Sequence, residues 1–204
     1  MREVVFIDID TQLDFIMPQG KLYVQGAKTL LPNLKRLTRM ALQSESLIIS
    51  SLDTHIKNDP EFRHFPRHCL AGSPGQKKIS ATLLKEHNVI PQKILSKEQL
   101  FKKIKGHPQV VLEKNTYDVF ANHNLPRLLK PFKTAFVYGL ALDYCVKYAV
   151  LGLLQSGLKV NLIIDAAKPV DPKAGKALLN RFKNNGVRLI KTKDVLSEIK
   201  KYEY

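Results

Sequence analysis

Tryptophan is absent from this chain of 204 residues, and cysteine occurs only at positions 69 and 145. Two thiols supply no disulfide framework, and without secretory signals the expectation is that both are reduced. No window approaches the ~18 consecutive apolar residues of a membrane-spanning helix. The opening MREVVFIDID is apolar only briefly and runs straight into acids, unlike a signal peptide. No repeat, low-complexity tract or linker interrupts the rest of the chain. These absences predict a soluble, cytoplasmic protein of a single domain, residues 1–204, with no membrane partner. A chain of this length buries well over half of its unfolded surface.

Acidic residues are scarce as well. Eighteen Asp and Glu stand against 33 Lys and Arg, a formal net charge of +15. Such a surplus raises the question of a nucleic-acid partner, because phosphate attraction grows with the number of Lys and Arg contacts. The basic residues are scattered, however, as in Lys77–Lys78, Lys102–Lys103 and Lys200–Lys201, and no nucleic-acid motif accompanies them. Charge of this kind speaks to solubility and non-specific association, so no specific nucleic-acid partner is expected.

Short apolar, β-branched runs alternate with helical patterns. Residues 4–9, 47–52, 109–112, 134–138, 159–164 and 187–190 read as strands. Residues 27–43 carry Leu30, Leu31, Leu34, Leu37 and Leu42 at helical spacing, and 144–155 and 172–184 read as further helices before a short C-terminal one. Gly157 is placed to end the second of these. Strands that are continuously apolar and joined by helices imply a parallel sheet covered on both faces. The predicted fold class is therefore α/β, three layers (α/β/α) around a mostly parallel sheet of roughly six strands. Residues 59–79, rich in Pro, Gly, His and Arg, form a long loop, and such loops tend to be functional.

In open parallel sheets ligands bind beyond the carboxyl ends of the strands. Asp10 follows the first strand, Asp53 and His55 the second, Lys114 the third, and Gly139 to Cys145 the fourth. Cys145 stands where a helix begins, and there the positive end of the helix dipole favours a thiolate and free N–H groups can hold an oxyanion. A buried, inert thiol is the alternative for this residue. Asp10, at the end of an apolar strand, needs partners to offset its desolvation, and can take a thiol proton and return it to a leaving amine. Asp14 reads as structural, tying the next loop through backbone N–H groups. Lys114 can pair with Asp10, although a lone Lys is usually solvated. Asp53 and His55 point to one side of a strand end, and His68 can complete a three-ligand metal face, with Glu61 as a fourth. His64 reads as an ordinary loop histidine.

Together these segments resemble the nicotinamidase branch of the isochorismatase-like cysteine hydrolases, over nearly the whole chain. Asp10-Thr-Gln-Leu-Asp14-Phe15 is similar to the family's D-x-Q-x-D-F, and Asp53-Thr-His55 to its metal-binding D-x-H. Phe65-Pro-Arg-His68-Cys69-Leu-Ala-Gly72-Ser-Pro74-Gly75 resembles W/F-P-x-H-C-V-x-G-T-P-G, and Gly139-Leu-Ala-Leu-Asp143-Tyr-Cys145-Val resembles the nucleophile motif G-V/L-A-T-D-x-C-V. The resemblance implies the isochorismatase-like hydrolase fold and a catalytic triad of Asp10, Lys114 and Cys145, Cys69 not being the nucleophile. It also implies an oxyanion hole from Ala141 and Cys145, with a cis peptide bond before Ala141. Phe15, Phe65, Tyr117, Leu140 and Ala141 would contact the substrate. A divalent cation, zinc first and iron or manganese after it, would sit on Asp53, His55, His68 and Glu61.

The implied reaction is hydrolysis of nicotinamide to nicotinate and ammonia through a thioester, within NAD salvage. The alternative is a related cysteine amidase acting on another small amide or carbamoyl compound. A small-molecule amide partner and a homo-oligomer are implied with it. Several features depart from the pattern: Asp8 is an acid where relatives have an apolar strand residue, Leu142 replaces a Thr, Phe65 stands where many nicotinamidases have Trp, and the loops between Asp53 and His68 and after Lys114 are short.

Overall fold

Alternation along the first strand decides the layering. In the computed structural model, which describes residues 3–202, β1 (Val4–Ile9) sends Val5, Ile7 and Ile9 to one face of a sheet and Val4 and Phe6 to the other. Residues 1, 2, 203 and 204 of the expected domain lie outside the described residues. The remaining strands are β2 (Leu47–Asp53), β3 (His87–Ile90), β4 (Gln109–Lys114), β5 (Thr134–Leu140), β6 (Lys159–Lys168) and β7 (Arg188–Ile190). They pair in the order β3-β4-β2-β1-β5-β6-β7, every pair parallel.

Among the described residues the sheet has seven strands where the sequence pattern predicts roughly six. The addition, β3, is a four-residue edge strand of which only Ile90 is buried, so it lacks the apolar run by which the others are recognised.

One face is covered by α3 (Lys97–Ile104), α4 (Leu125–Leu129), α5 (Cys145–Gln155) and α6 (Pro172–Asn184), which bring Leu100, Leu128, Val150 and Phe182 against Val5, Ile7, Val110 and Val137. On the other, α1 (Leu13–Ile16), α2 (Leu31–Gln43) and α7 (Val195–Ile199) bring Ile16, Leu34, Leu37 and Ile199 against Phe6, Ile48 and Phe136. Each such side chain contributes ~1.5–3 kcal/mol by leaving water. The helix expected over 27–43 divides: Ala27–Leu30 is a 3-10 turn, and the α-helix starts beside Pro32, whose missing N–H costs nothing in a first turn. Gly157 closes α5 at a φ of 80°, a conformation open to glycine.

Residues 59–79 hold only the 3-10 turn Pro60–Arg63 and two isolated bridges, Gln12 with Lys78 and His55 with Leu70. These fasten the loop across the carboxyl ends of β1 and β2. The chain leaves β1 towards β2 on one side and has β5 on the other, so a crevice opens at β1.

Candidate active site

The ends of β1, β2 and β4 bring three charged groups together. Lys114 is wholly buried, and its Nζ lies 2.8 Å from Asp10 Oδ2 and 2.9 Å from Asp53 Oδ1. It also donates to Thr116 O at 2.9 Å and reaches Cys145 Sγ at 3.8 Å. Burial works against this ammonium, but the two carboxylates hold its pKa well above the ordinary lysine value. Asp10 is held on its other oxygen by Ser51 Oγ, which donates to Oδ1 at 2.5 Å, and the Asp10 N–H donates back to the same hydroxyl at 3.0 Å.

Cys145 is the first residue of α5. At the helix start the dipole favours a thiolate, yet in the fold burial outweighs it and pushes the thiol well above its usual value. Lys114 pulls the other way, while Asp10 and Asp53 add to the upward shift. Burial and the two carboxylates thus favour the protonated thiol over the thiolate. The Leu140–Ala141 peptide is cis, and neither the Ala141 nor the Cys145 N–H is taken by another backbone carbonyl. A Cβ at Gly139 (φ 119°) would fall 2.0 Å from Ile9 O, so only glycine lets β5 pass this close to β1.

A second cluster adjoins the first through Asp53. One ligand atom each from Asp53, His55 and His68 lie within 4.8 Å of one another, all three residues buried. His55 Nε2 is 2.9 Å and His68 Nε2 3.3 Å from Asp53 Oδ2. The far nitrogens each face an oxygen. His68 Nδ1 sits 2.7 Å from Pro66 O, and His55 Nδ1 is 3.0 Å from Asp59 Oδ2, close enough for charge attraction though poorly angled for a hydrogen bond. An imidazole whose Nδ1–H faces an acceptor turns a lone pair at Nε2 towards the centre, the arrangement that outer partners give to metal-binding histidines. Two such nitrogens and a carboxylate suit a divalent cation.

Without one, burial opposes protonation of His55, but the Asp53 carboxylate beside it raises its pKa to about 9. Burial likewise works against the Asp53 anion, and Lys114 and the histidines overcome it, holding its pKa well below the carboxylate range. Glu61 is farther out, 3.9 Å from His68 Nε2 and half-buried, with its pKa raised by burial and by Asp53.

Cys145 of the first cluster and Asp53 and His68 of the second line one cavity of about 110 Å³, small beside the ~300 Å³ and above of drug-sized pockets. Phe15, Phe65, Tyr117, Leu140 and Ala141 line it, as do Asp53, Glu61, His68 and Cys145. Phe65, Tyr117 and Tyr144 meet one another with ring centroids 5.9–6.1 Å apart. Asp14 is structural: its carboxylate accepts from Lys21 N at 3.0 Å and Cys69 N at 2.7 Å, and a Cβ at Gly75 would strike it at 2.2 Å. Cys69 is buried outside this cavity, its thiol pushed far up by burial.

Sequence reasoning brings the residues of both clusters to one place but misses Ser51, Asp59 and Tyr144. Tyr144 stands between Asp143 and Cys145, where the sequence already places a helix N-terminus at a strand end. Ser51 is two residues before Asp53 on a strand with the same side-chain period, which is a usable signal. Asp59 carries none.

The chain is similar to known proteins over most of its length. The chain is 28% identical over 190 residues to the nicotinamidase of Escherichia coli, covering 80% of this chain and 82% of that one. It is 38% identical over 80 residues to isochorismatase family protein 2A of Dictyostelium discoideum, a match spanning 39% of this chain and 38% of that protein. The crystal structure of the pyrazinamidase of Pyrococcus horikoshii in complex with zinc superposes with a TM-score of 0.76 at 25% identity, covering 93% of this chain and 99% of that one. A family model described as the isochorismatase domain matches residues 4–194, and the chain therefore belongs to the isochorismatase family.

Proposed function

We propose that the protein is a nicotinamidase-type amidase, a hydrolase that converts nicotinamide to nicotinate and ammonia. The observation that carries this reading is the meeting of Asp10 and Lys114 with Cys145, which lines a cavity of about 110 Å³ together with Asp53 and His68 of the metal-ligand cluster. The cavity suits a single flat ring between Phe15 and the Phe65, Tyr117 and Tyr144 cluster.

Because burial favours the protonated form of the Cys145 thiol, a base must act first. Asp10 takes the proton as sulfur attacks the carboxamide carbon. Lys114 compensates the two carboxylates, so negative charge can pass from Asp10 to sulfur and on to the carbonyl oxygen. The N–H groups of Ala141 and Cys145 receive that oxygen. Collapse breaks the C–N bond, and Asp10 hands its proton to the departing ammonia. Asp10 then accepts a proton from the water that attacks the thioester and passes it to the departing sulfur, restoring the thiol and freeing the acid, which ionises to the carboxylate. A divalent cation, zinc by preference, held by Asp53, His55 and His68 with Glu61 at the rim, would supply a Lewis-acidic anchor that orients the ring.

The test is ammonia release from nicotinamide by purified protein, before and after chelation and return of zinc, iron or manganese. The expected result is turnover that falls on chelation and recovers with metal. Absence of turnover with metal present, alongside turnover of another small amide, would overturn the nicotinamide assignment in favour of a related amidase.

A further inference from the structure

Strand β1 carries a second buried ion pair that the proposed amide chemistry does not use. Asp8 Oδ2 lies 2.9 Å from Lys78 Nζ, both side chains being at most 1% exposed. Thr11 joins them: its hydroxyl donates to Asp8 Oδ1 at 2.8 Å, accepts from Lys78 at 2.8 Å and meets the Thr82 hydroxyl at 2.7 Å. Ser50 Oγ donates to Asp8 Oδ2 at 2.9 Å and is itself held by Gln109. A buried pair of this kind gives little net stability over apolar residues of the same volume, so stability alone does not account for it.

Its location supplies a reason. Asp10 sits between Asp8 and Thr11 with a φ of 46°, a left-handed conformation that a non-glycine residue keeps only where its surroundings enforce it. The Asp8–Thr11 bond brackets that residue. Lys78 clamps it from the other side through a backbone already fastened to this turn, with Leu13 N donating to Lys77 O at 2.9 Å and Ile79 N to Thr11 O at 3.0 Å. Lys78 Nζ also lies 3.5 Å from the carbonyl of Ser51, whose hydroxyl holds Asp10 Oδ1.

We propose that Asp8, Thr11 and Lys78 are positioning residues for Asp10, locking the turn that aims its carboxylate at Cys145. The inference rests on the reading of Asp10 as the proton acceptor. Thr11→Val removes the hydroxyl that joins the pair, and Thr11→Ser restores it. The readouts are kcat and KM on the amide that the wild type hydrolyses, and the rate at which iodoacetamide alkylates the Cys145 peptide, followed by mass spectrometry. The expected result is a fall of about tenfold or more in kcat and in alkylation for Thr11→Val, towards the Asp10→Asn values, with KM nearly unchanged and recovery in Thr11→Ser. Asp8→Leu combined with Lys78→Met should show the same loss while its Tm stays at or above that of the wild type. If Thr11→Val and the double variant alkylate at the wild-type rate while Asp10→Asn is slow, the positioning role is overturned and the role of Asp10 stands. If Asp10→Asn also alkylates at the wild-type rate, the reading of Asp10 falls and the proposal falls with it.

Discussion

Two buried ion clusters share the end of β1, and they are built differently. Around Asp8 the donors satisfy the anion: Lys78, Thr11 and Ser50 take up its oxygens, and none of these groups lines the cavity beside Cys145. Around Asp10 the balance is left incomplete. Two carboxylates, Asp10 and Asp53, share the single ammonium of Lys114, and histidines stand against the second of them. A saturated cluster holds a shape. One with charge to spare can move a proton or hold a cation, as the proposed chemistry requires.

The comparison can be broken most sharply at sulfur. Cys145→Ala should lower amide hydrolysis by at least ~10⁴-fold and abolish any acyl-enzyme, while Cys69→Ala, if its metal site is intact, should keep its activity; steady-state kinetics with mass spectrometry of quenched samples checks both. The two lysines come next. Lys114→Met and Lys78→Met each strand buried carboxylate and should each cost about 3–5 kcal/mol of stability in denaturant titrations. Added zinc should then separate them, raising the Tm of Lys114→Met by more than that of the wild type, because Asp53 has lost a competing cation. The zinc effect on Lys78→Met should equal that on the wild type.

pH separates the regions further, since only the open cluster contains imidazoles. In metal-free protein the His55 pKa is raised to about 9 from 6.5. Its stabilising contribution is thus complete below pH 6.5 and lost as pH rises through about 9. At 1.36 kcal/mol per unit this amounts to about 3 kcal/mol at most. Unfolding of chelated protein should show this loss, and His55→Asn should flatten it. Phe65→Leu is the mildest change: losing the edge contacts with Tyr117 and Tyr144 should raise KM several-fold, about 0.5–1.5 kcal/mol, with kcat less affected.

Much of this organisation is legible in the sequence because the sheet is parallel and its central strands are buried on both faces. Continuous runs such as Val4–Ile9 mark the strands, and in such sheets the chemistry lies at their carboxyl ends, which puts Asp10, Asp53, Lys114 and Cys145 in one place. Elements carried by other signals escape that reading. Strand β3 is short and half-exposed, and α3 is announced by a capping box, Ser96 with Gln99, rather than by a long apolar stripe. Asp8 stands out as an acid in an apolar strand, but its partner Lys78 lies 70 residues along, inside a loop with no period, where nothing local pairs the two. Burial of the Cys145 thiol is equally hidden, since local position gives only the helix dipole.

The most direct test is mass spectrometry of enzyme quenched during turnover of nicotinamide. A nicotinoyl adduct on the peptide containing Cys145, absent in Cys145→Ala and accumulating when Asp10→Asn slows its hydrolysis, is the predicted result. Turnover without an adduct on Cys145, or an adduct on Cys69, would contradict it.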